Sequence, residues 1–295
     1  MKKSCIVFDS GSNFSNGQYP DLYVLPLQVI ESQETKEVSY SDGIEITIDE
    51  MEKQMVDGVL FKTSASNPND AITLFEKLSA EYEEIYVFLL PYTLSPGQNN
   101  SINLIAEDFP KVKVIPHYMV SLPTQWEAQE LLALNKAGKL TIETATAVVN
   151  KYRDKLAMAV VVPDLSFLAR GGRISKTKGF FGKLLHITAL VSFDREGVVF
   201  RDKAMTSNKL YKQIDQYFKM ILKDFDYSKI DKIGILHSNT TTRNFNRQKY
   251  EEEFTENIFP KIDKKIVSNS SAQAVPCAIL AHLGPNYYAL IVLLK

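Results

Sequence analysis

The sequence predicts a protein of the α/β class with two domains, and three observations support this prediction. The chain has 295 residues, which is enough for two hydrophobic cores of ordinary size. In the first half, short apolar runs alternate with amphipathic runs, as in folds built on a largely parallel sheet. In the second half, a hairpin and long helical patterns are mixed, which is typical of an α+β domain. We therefore expect domains at 1–155 and 156–295, with a boundary that no linker marks and with room for elements to be exchanged.

The first domain begins with the strand run SCIVFDS, which ends in a polar turn. LYVLPLQVI follows as a second strand that Pro26 interrupts. The run TIDEMEKQMVDG predicts a helix that Thr47 or Asp49 caps and Gly58 ends. The next run, KTSASNPND, is predicted to be a polar loop before an amphipathic helix with apolar residues at helical spacing.

Two further strands, IYVFLLPYT and VKVIPHY, complete the predicted parallel sheet. The polar loop LSPGQNNS and another helix lie between them, and WEAQELLALNKAGK and TIETATAVVNKYRDKL are two more predicted helices. This alternation places several polar loops at the carboxyl ends of strands, where α/β proteins bind their ligands.

The second domain begins with AMAVVVPDLSFLARGG and continues into a hairpin that turns at Arg195-Glu196-Gly197. A long amphipathic helix in NKLYKQIDQYFKMILKDF precedes the strand KIGILHS. The last run, AVPCAILAHLGPNYYALIVLL, is predicted to form two apolar strands around a His-Leu-Gly-Pro turn.

Composition excludes several classes of protein. The formal net charge of -1 provides no basic surface at the level of the whole chain, so nucleic acid is not an expected partner. Cys5 and Cys277 both lie in apolar runs, which favours buried thiols in a reducing compartment over a disulfide. The apolar run at the N-terminus is too short for the core of a signal peptide, and no apolar run approaches the length of a membrane helix. We therefore expect a cytoplasmic protein without stable membrane insertion.

Three loops are rich in hydroxyl and amide side chains and almost lack positive charge: DSGSN, TSASNP and LSPGQNNS. Such loops suit an oxyanion, because a helix N-terminus adds a favourable dipole and unpaired N–H groups. The alternative is that Ser64, Asn67 and Ser95 only cap helices and stabilise turns. The chain has neither a P-loop nor a G-x-G-x-x-G motif, so no motif supports nucleotide binding.

The four histidines show no metal-binding or catalytic spacing. His117 and His186 lie beside apolar runs and are predicted to be structural, and His237 ends a strand. His282 is expected at a strand end beside a tight turn, where its ring could reach the head group of a ligand. No cofactor or metal is predicted, and the absence of a G-x-S-x-G motif leaves a hydrolase without motif support.

The segment Gly171-Gly172-Arg173 has two interpretations that the residues alone leave open. The glycines could end a helix in the left-handed conformation, with Arg173 as a solvated surface charge. Glycines also let a backbone approach a ligand closely, and arginine presents a rigid fork to a carboxylate or phosphate.

Six segments, taken in order, resemble the DegV family of fatty-acid-binding proteins over nearly the whole chain. FDSGSN resembles the opening D-S-T/S turn, and PLQVI with YSDGIEIT resembles the P-L and Y-x-D-G segment. KTSASNPND and LSPGQNNS are similar to the T-S-x-P-S-P and L-S-G-x-x-x-S loops. LARGGRIS closely resembles the G-G-R-I-S signature, and AHLGPN is similar to the H-T-G-P-G ending.

This resemblance implies a two-domain DegV-like fold with a long-chain fatty acid in the cleft between the domains. It also implies a role as the acyl-carrying subunit of a bacterial fatty acid kinase, in which a separate ATP-dependent kinase subunit makes the acyl phosphate. The protein would then be a lipid-binding carrier rather than an enzyme. Carried over residue by residue, the resemblance assigns Thr63, Ser64, Ser95 and His282 to the carboxylate and Arg173 to the side of the head group or phosphate.

The sequence departs from the family pattern in several positions. Pro96 replaces a glycine and removes one backbone N–H, which Gly97 could replace if the loop is shifted by one residue. Leu283 replaces a hydroxyl-bearing residue, Asn286 replaces the last glycine of G-P-G, and IPHYMVSLPTQW lacks a D-S/T pattern. These departures bear on kinase docking and acyl preference.

Three further questions stay open in the sequence. The apolar residues near the signature fit either ordinary core packing or a tail site: Phe167, Leu168, Phe180, Phe181, Leu184 and Leu185. A small-molecule hydrolase or phosphotransferase that uses Ser95 and His282 is one alternative function. A lipid sensor that supports no phosphorylation is the other.

Overall fold

The computed structural model describes residues 2–32, 36–174, 188–194, 197–203, 207–239 and 247–295. The chain divides into two units by its internal contacts. Unit 1 comprises Met1–Ile48, Val59–Arg153 and Pro276–Ile279, and unit 2 comprises Asp49–Gly58, Asp154–Val275 and Leu280–Lys295. The domain boundary near residue 155 stays a prediction about independent folding.

The N-terminal half begins with four strands, alternates between helices and strands from α1 to α4, and ends with a further helix. In chain order they are β1 Lys2–Asp9, β2 Leu22–Leu25, β3 Gln28–Ser32, β4 Glu37–Ser41, α1 Ile48–Val56, β5 Leu60–Ser64, α2 Pro68–Glu81, β6 Tyr82–Phe88, α3 Pro96–Ala106, β7 Val112–Ile115, α4 Leu122–Lys136 and α5 Ile142–Lys155.

The C-terminal half contains longer antiparallel strands. In chain order its elements are β8 Leu156–Val162, α6 Ser166–Arg170, β9 Ala189–Asp194, β10 Gly197–Lys203, α7 Ser207–Ile221, β11 Ile230–His237, α8 Arg247–Asn257, α9 Lys264–Ser268, β12 Ser271–Gln273, α10 Cys277–Leu283 and β13 Tyr288–Leu294.

Unit 1 contains the predicted parallel sheet. Its strands lie in the order β2-β1-β6-β7, and each neighbouring pair is parallel. Helix α2 packs its apolar stripe of Ala71, Phe75 and Leu78 into the core on this sheet, at the spacing that places them on one helical face. Asn67 caps this helix, because its side chain accepts a hydrogen bond from the Asn69 N–H, and Pro68 follows at a first-turn position that needs no donor.

A second, antiparallel sheet in unit 1 has the strand order β4-β3-β5. The run LYVLPLQVI therefore contributes to two sheets, since β2 belongs to the parallel sheet and β3 to the antiparallel one. Pro26 stands between these two strands. The prediction that KTSASNPND is a loop from its first residue was wrong, because Lys62–Ser64 complete β5, where Thr63 pairs with Val29.

Unit 2 is built on a six-stranded sheet in the order β10-β9-β8-β13-β11-β12. Every residue of the central strands β8 and β13 is buried, which explains their continuous apolar sequences. The predicted hairpin is confirmed by the antiparallel pairing of β9 and β10, and its turn residues Arg195 and Glu196 lie outside the described residues. Helix α7 covers the sheet with Leu210, Ile214 and Phe218.

Helix α1 belongs to unit 2 although the strands before and after it belong to unit 1. The buried carboxylate of Glu52 explains this placement. It accepts hydrogen bonds from the Ser238 hydroxyl and from the Asn239 N–H, the latter at 2.9 Å. The helix ends as predicted, with Gly58 in the left-handed region at φ +96° just beyond it.

The prediction of a strand before the last turn was wrong, because Cys277–Leu283 forms helix α10. His282 therefore lies in the last turn of a helix and not at a strand end. The helix begins directly after Pro276, and its first N–H groups are capped from far away in the sequence. The Asp42 carboxylate accepts from the Cys277 N–H at 3.1 Å and from the Ala278 N–H at 3.2 Å.

Within the described part of the chain, no helix has both the length and the apolar character needed to cross a membrane. Cys5 and Cys277 are both buried, as predicted, and they are not joined in a disulfide.

Candidate functional site

The turn after β1 ties together the carboxyl ends of three parallel strands. Asp9 ends β1, and its carboxylate accepts from the Leu90 N–H at 2.6 Å and from the Gly11 N–H at 3.1 Å. The Gly11 carbonyl accepts from the Ser121 N–H at 2.7 Å, in the segment after β7. A Cβ on Gly11 would lie 2.5 Å from Leu90 Cγ, so this close approach requires glycine.

Two of the family-like segments, FDSGSN and PLQVI with YSDGIEIT, meet at one buried hydroxyl, that of Ser10. Ser10 Oγ donates to Asp42 Oδ2 at 2.7 Å and accepts from the Leu27 N–H at 3.0 Å. Asp42 also caps helix α10, so the same carboxylate holds the first turn of the chain and the start of the last helix. Ser10 and Asp42 are part of the scaffold of unit 1, a role that the sequence did not reveal.

Thr63 and Ser64 end strand β5 and Ser95 precedes helix α3, and a buried hydrogen-bond pair joins the loop after β5 to the first turn of α3. The Ser66 N–H donates to Gln98 Oε1 at 2.8 Å, and Gln98 Nε2 donates to Ser66 Oγ at 2.9 Å. Both side chains are buried, whereas Thr63 and Ser95 are half-buried and Ser64 is exposed. The structure therefore brings the predicted T-S and L-S loops side by side in unit 1.

Ser95 occupies the position before helix α3, yet among the described residues its hydroxyl makes no capping hydrogen bond. The interpretation of Ser95 as a helix cap was therefore wrong, and Ser64 is the last residue of a strand rather than a cap. Pro96 is the first residue of α3 and has no N–H group to offer. Because the α3 N-terminus also carries the positive end of the helix dipole, Ser95 lies where an anion is favoured.

The segment Gly171-Gly172-Arg173 ends helix α6 with a Schellman motif. The Arg173 N–H donates to the Leu168 carbonyl at 3.2 Å and the Gly172 N–H donates to the Ala169 carbonyl at 3.1 Å. Gly172 is in the left-handed conformation at φ +64°. The helix-stop interpretation is confirmed, but Arg173 is half-buried and not a fully solvated charge.

His282 and Arg173 lie in unit 2, and the charge of Arg173 acts on His282. Burial, and secondly the positive charge of Arg173, lowers the pKa of His282 to about 4. Burial also lowers the pKa of Arg173, whose Nη1 donates to the Gly171 carbonyl at 2.6 Å. His282 is therefore neutral near pH 7, and Arg173 provides the positive charge of this pair.

A buried histidine–carboxylate pair lies elsewhere in unit 1. His117 Nδ1 is 2.9 Å from the Leu89 carbonyl oxygen, and Nε2 is 3.4 Å from Glu127 Oε1. Burial lowers the pKa of His117, but Glu127 and Asp9 raise it more, so the pKa lies above its ordinary value. His117 is buried, and its structural role stays a prediction. Nothing in the helical pattern of α4 indicated that Glu127 would be its partner.

Two buried carboxyl groups near this pair have raised pKa values. Burial raises the pKa of Asp9 to about 7 and that of Asp42 to about 6, although hydrogen bonds to both groups counteract part of this effect. Both residues lie in quoted family-like segments, so their presence was visible in the sequence but their burial was not.

The departures from the family pattern fit their surroundings. Asn286 adopts the left-handed conformation at φ +66°, which asparagine tolerates better than most residues, and its N–H donates to Ser238 Oγ at 3.0 Å. Leu283 is the last residue of α10 and is half-buried. Phe167 and Leu168 are described and packed within unit 2, whereas His186, Phe180, Phe181, Leu184 and Leu185 lie outside the described residues.

Among the described residues, no group of three or more histidine, cysteine, aspartate and glutamate side chains could hold a metal ion. The predicted site residues thus fall into two sets, with hydroxyl groups in unit 1 and a neutral imidazole beside a guanidinium in unit 2. The hydroxyl set can donate hydrogen bonds to a carboxylate, and the second set can provide charge and one further donor.

Solved structures of other proteins have the same fold over the full chain. A fatty acid-binding DegV family protein from Thermus thermophilus has a TM-score of 0.79 at 21% identity, covering 99% of this chain and 100% of that one. A fatty acid-binding DegV family protein from Streptococcus agalactiae has the same TM-score and identity over 100% of both chains. A stearic acid-binding protein from Eubacterium ventriosum has a TM-score of 0.75 at 20% identity over 98% of both. These likenesses confirm the predicted α/β fold.

Sequence relatives also cover the chain from end to end. A DegV domain-containing protein of Mycoplasma pneumoniae is 28% identical over 304 residues, covering 99% of this chain and 98% of the relative. A DegV domain-containing protein of Staphylococcus aureus is 29% identical over 301 residues, covering 100% of both. The family model described as "Uncharacterised protein, DegV family" matches residues 3–295. The chain therefore belongs to the DegV family, as its six family-like segments predicted.

Proposed function

We propose that this protein binds a long-chain fatty acid and presents its carboxylate to a separate ATP-dependent kinase subunit, which forms the acyl phosphate. Membership of the DegV family supports the first part, since several DegV structures with this fold are described as fatty acid-binding proteins. The kinase partnership rests on the resemblance alone. We place the reaction in the cytoplasm, where a kinase has ATP.

The observation that carries the proposal is the buried hydrogen-bond pair of Ser66 and Gln98, which joins two hydroxyl-bearing segments. This buried pair fixes the loop of Thr63 and Ser64 beside the start of α3, where Ser95 leaves its hydroxyl uncommitted to capping. Hydroxyl donors at a helix N-terminus can satisfy a carboxylate without forming a tight ion pair. Such a site holds the head group and still leaves it reactive towards a phosphoryl donor.

The energetics assign different tasks to the two ends of the ligand. Each buried methylene contributes about 0.8 kcal/mol, so a tail of about fourteen methylenes gains on the order of 10 kcal/mol. An unpaired buried carboxylate would offset several kcal/mol or more of this gain. The tail therefore sets the affinity, while the polar residues prevent the desolvation penalty and fix which end is presented.

We assign Thr63, Ser64, Ser95 and His282 to the carboxylate and Arg173 to the head-group or phosphate side. Because His282 is neutral near pH 7, it donates a hydrogen bond rather than a charge. Arg173 keeps its charge and can attract the carboxylate or the phosphate of the product.

Mass spectrometry of organic extracts from the purified protein tests the binding step, and a bound long-chain fatty acid is expected. A phosphorylation assay with a separately purified kinase subunit, ATP and fatty acid tests the presentation step. Ser95→Ala should retain lipid but support acyl phosphate formation poorly, whereas Ser101→Ala, farther along α3, should behave as the wild type. Unchanged turnover in Ser95→Ala would refute the assignment of Ser95.

Other outcomes would favour the two alternative functions. Bound lipid without phosphorylation by a competent kinase would indicate a lipid sensor. Turnover of a small ester or phosphate without any partner, abolished by Ser95→Ala or His282→Ala, would indicate an enzyme.

A further inference from the structure

Gly171 has no conformational need to be glycine. Its φ of -70° lies in the helical region that any residue adopts, in contrast to Gly172 beside it. What distinguishes Gly171 is its surroundings. A Cβ at this position would lie 2.9 Å from His282 Cε1 and 3.1 Å from Cγ, and closer still to Nδ1. The imidazole ring therefore occupies the space that a side chain at position 171 would fill.

The same two segments make a second contact of this kind in the opposite direction. A Cβ on Gly284 would lie 2.5 Å from Cδ2 and 2.9 Å from Cγ of Phe167. The Phe167 ring also lies under the guanidinium of Arg170, at 4.7 Å from its centroid. Each segment thus offers one glycine backbone to one ring of the other, and we call these the two ring-on-glycine contacts.

We propose that Gly171 is a positioning residue, whose bare backbone forms the surface on which the His282 ring packs and so orients the imidazole towards the head group of the ligand. The role for the ligand rests on the proposed function. The packing role does not depend on it. The signature then divides into three tasks: Gly171 accommodates the ring, Gly172 ends helix α6 and Arg173 provides the charge.

The proposal predicts how a methyl group at position 171 acts. Gly171→Ala would push the imidazole out of its place, because backbone on one side of the contact cannot move as a flexible side chain can. The displaced ring would be more hydrated and farther from Arg173, and both changes favour its protonated form. The loss of stability caused by Gly171→Ala should therefore depend on the presence of the His282 ring.

A double-mutant cycle measures this dependence in the ligand-free protein. Urea unfolding should show a clear loss of stability for Gly171→Ala in the wild-type background. In the His282→Ala background, the same substitution should lower the free energy of unfolding by less than half as much, because the ring that it would contact is absent. Equal losses in the two backgrounds would overturn the proposal.

Nuclear magnetic resonance of the imidazole groups provides a readout that a merely structural role would not change. The chain has four histidines, so the ring signals can be assigned by single substitutions. Gly171→Ala should shift the His282 signals and raise the pKa of His282 from about 4 towards its ordinary value. A core variant of unit 2, Ile233→Val, should lower stability without moving these signals. Unmoved His282 signals in Gly171→Ala would contradict the proposal.

Binding of a fluorescent long-chain fatty acid completes the test. Gly171→Ala and His282→Ala should each weaken binding by roughly ten-fold, the usual effect of losing a hydrogen bond to a charged group. The double variant should bind no more weakly than His282→Ala alone. A further additive loss would overturn the positioning role. If the wild type binds no fatty acid, the proposed function fails, while the stability cycle and the imidazole signals still decide the packing role.

Discussion

The two sets of proposed head-group residues are held in place by different means. In unit 1, the buried hydrogen-bond pair of Ser66 and Gln98 joins the segments that carry the hydroxyl groups. In unit 2, the His282 imidazole packs closely on the backbone of Gly171, and the Arg173 guanidinium donates a hydrogen bond to the Gly171 carbonyl at the end of a short helix. Hydrogen bonds fix the segments of the first set, whereas the second set depends on close packing of a ring on glycine as well as on a hydrogen bond.

This difference has a consequence for stability. A buried hydrogen-bond network is sensitive to the removal of one partner, because the remaining group stays buried without compensation. A ring packed on glycine is instead sensitive to the addition of a single methyl group. Removal of polar atoms should therefore act on the supports of the hydroxyl set, and added volume at Gly171 should act on the position of His282.

The largest effect is expected for Asp42→Ala. This change removes the acceptor of the Ser10 hydroxyl and of two N–H groups at the start of α10, and should cost about 3 kcal/mol of unfolding free energy. Fluorescence of Trp126, the only tryptophan of the chain and a buried residue of unit 1, follows the unfolding of this unit in urea. As a control, Asp57→Ala removes an exposed aspartate and should change the urea midpoint little. An equally small change for Asp42→Ala would contradict the prediction.

Gln98→Ala should have the next largest effect, about 2 kcal/mol, because it leaves the buried Ser66 N–H without its acceptor. The loops of Thr63 and Ser95 should lose their fixed spacing, so fatty acid binding should weaken together with stability. Asn103→Ala, which removes an exposed side chain of the same helix, provides the matched control and should cost less than about 0.5 kcal/mol. If Gln98→Ala weakens stability but leaves head-group binding unchanged, the loop pairing does not position the hydroxyl groups.

The sequence could predict what depends on local pattern. Ala71, Phe75 and Leu78 define a helical face, and Gly58 and Gly172 stand at positions where helices end in the left-handed conformation. The polar loops after the strands were visible because hydroxyl and amide residues are concentrated there. These features require no knowledge of distant residues.

The features that the sequence did not reveal depend on partners far away in the chain. The run PCAILAHL is apolar except for His282, so periodicity could not distinguish a buried strand from a buried helix. The cap that decides for the helix is Asp42, which lies 235 positions before Cys277. Likewise, the reason for glycine at 171 is a ring at 282, and no local pattern connects the two.

The pH dependence of stability should have opposite signs in the two units. Burial raises the pKa of Asp9 to about 7, so the folded state holds a proton that the unfolded state releases above about pH 4. The contribution of Asp9 to the free energy of unfolding therefore falls as the pH rises from about 4 to about 7. Burial and the charge of Arg173 lower the pKa of His282 to about 4, so the unfolded state binds the extra proton. The contribution of His282 to the free energy of unfolding therefore falls as the pH drops from about 6.5 to about 4.

Two variants separate these contributions. Asp9→Asn should reduce the pH dependence of the urea midpoint reported by Trp126, while His117 and Asp42, the other ionisable groups that face Asp9, remain. Arg173→Gln should raise the pKa of His282 in an imidazole titration, although not to its ordinary value, since burial is the larger cause. An unchanged slope in Asp9→Asn or an unchanged pKa in Arg173→Gln would contradict the electrostatic account of that unit.

The smallest effects should distinguish the two neighbouring hydroxyl groups of β5. Thr63 is half-buried and Ser64 is exposed, so their side chains differ in how much water they would have to exchange for a ligand. Thr63→Val keeps the shape and the strand propensity and removes only the hydroxyl, and should weaken fatty acid binding roughly five-fold. Ser64→Ala should change the affinity by less than about two-fold, because an exposed hydroxyl already bonds to water. Equal losses in both variants would mean that Ser64 contributes to carboxylate binding as much as Thr63, and that exposure does not separate the two hydroxyl groups.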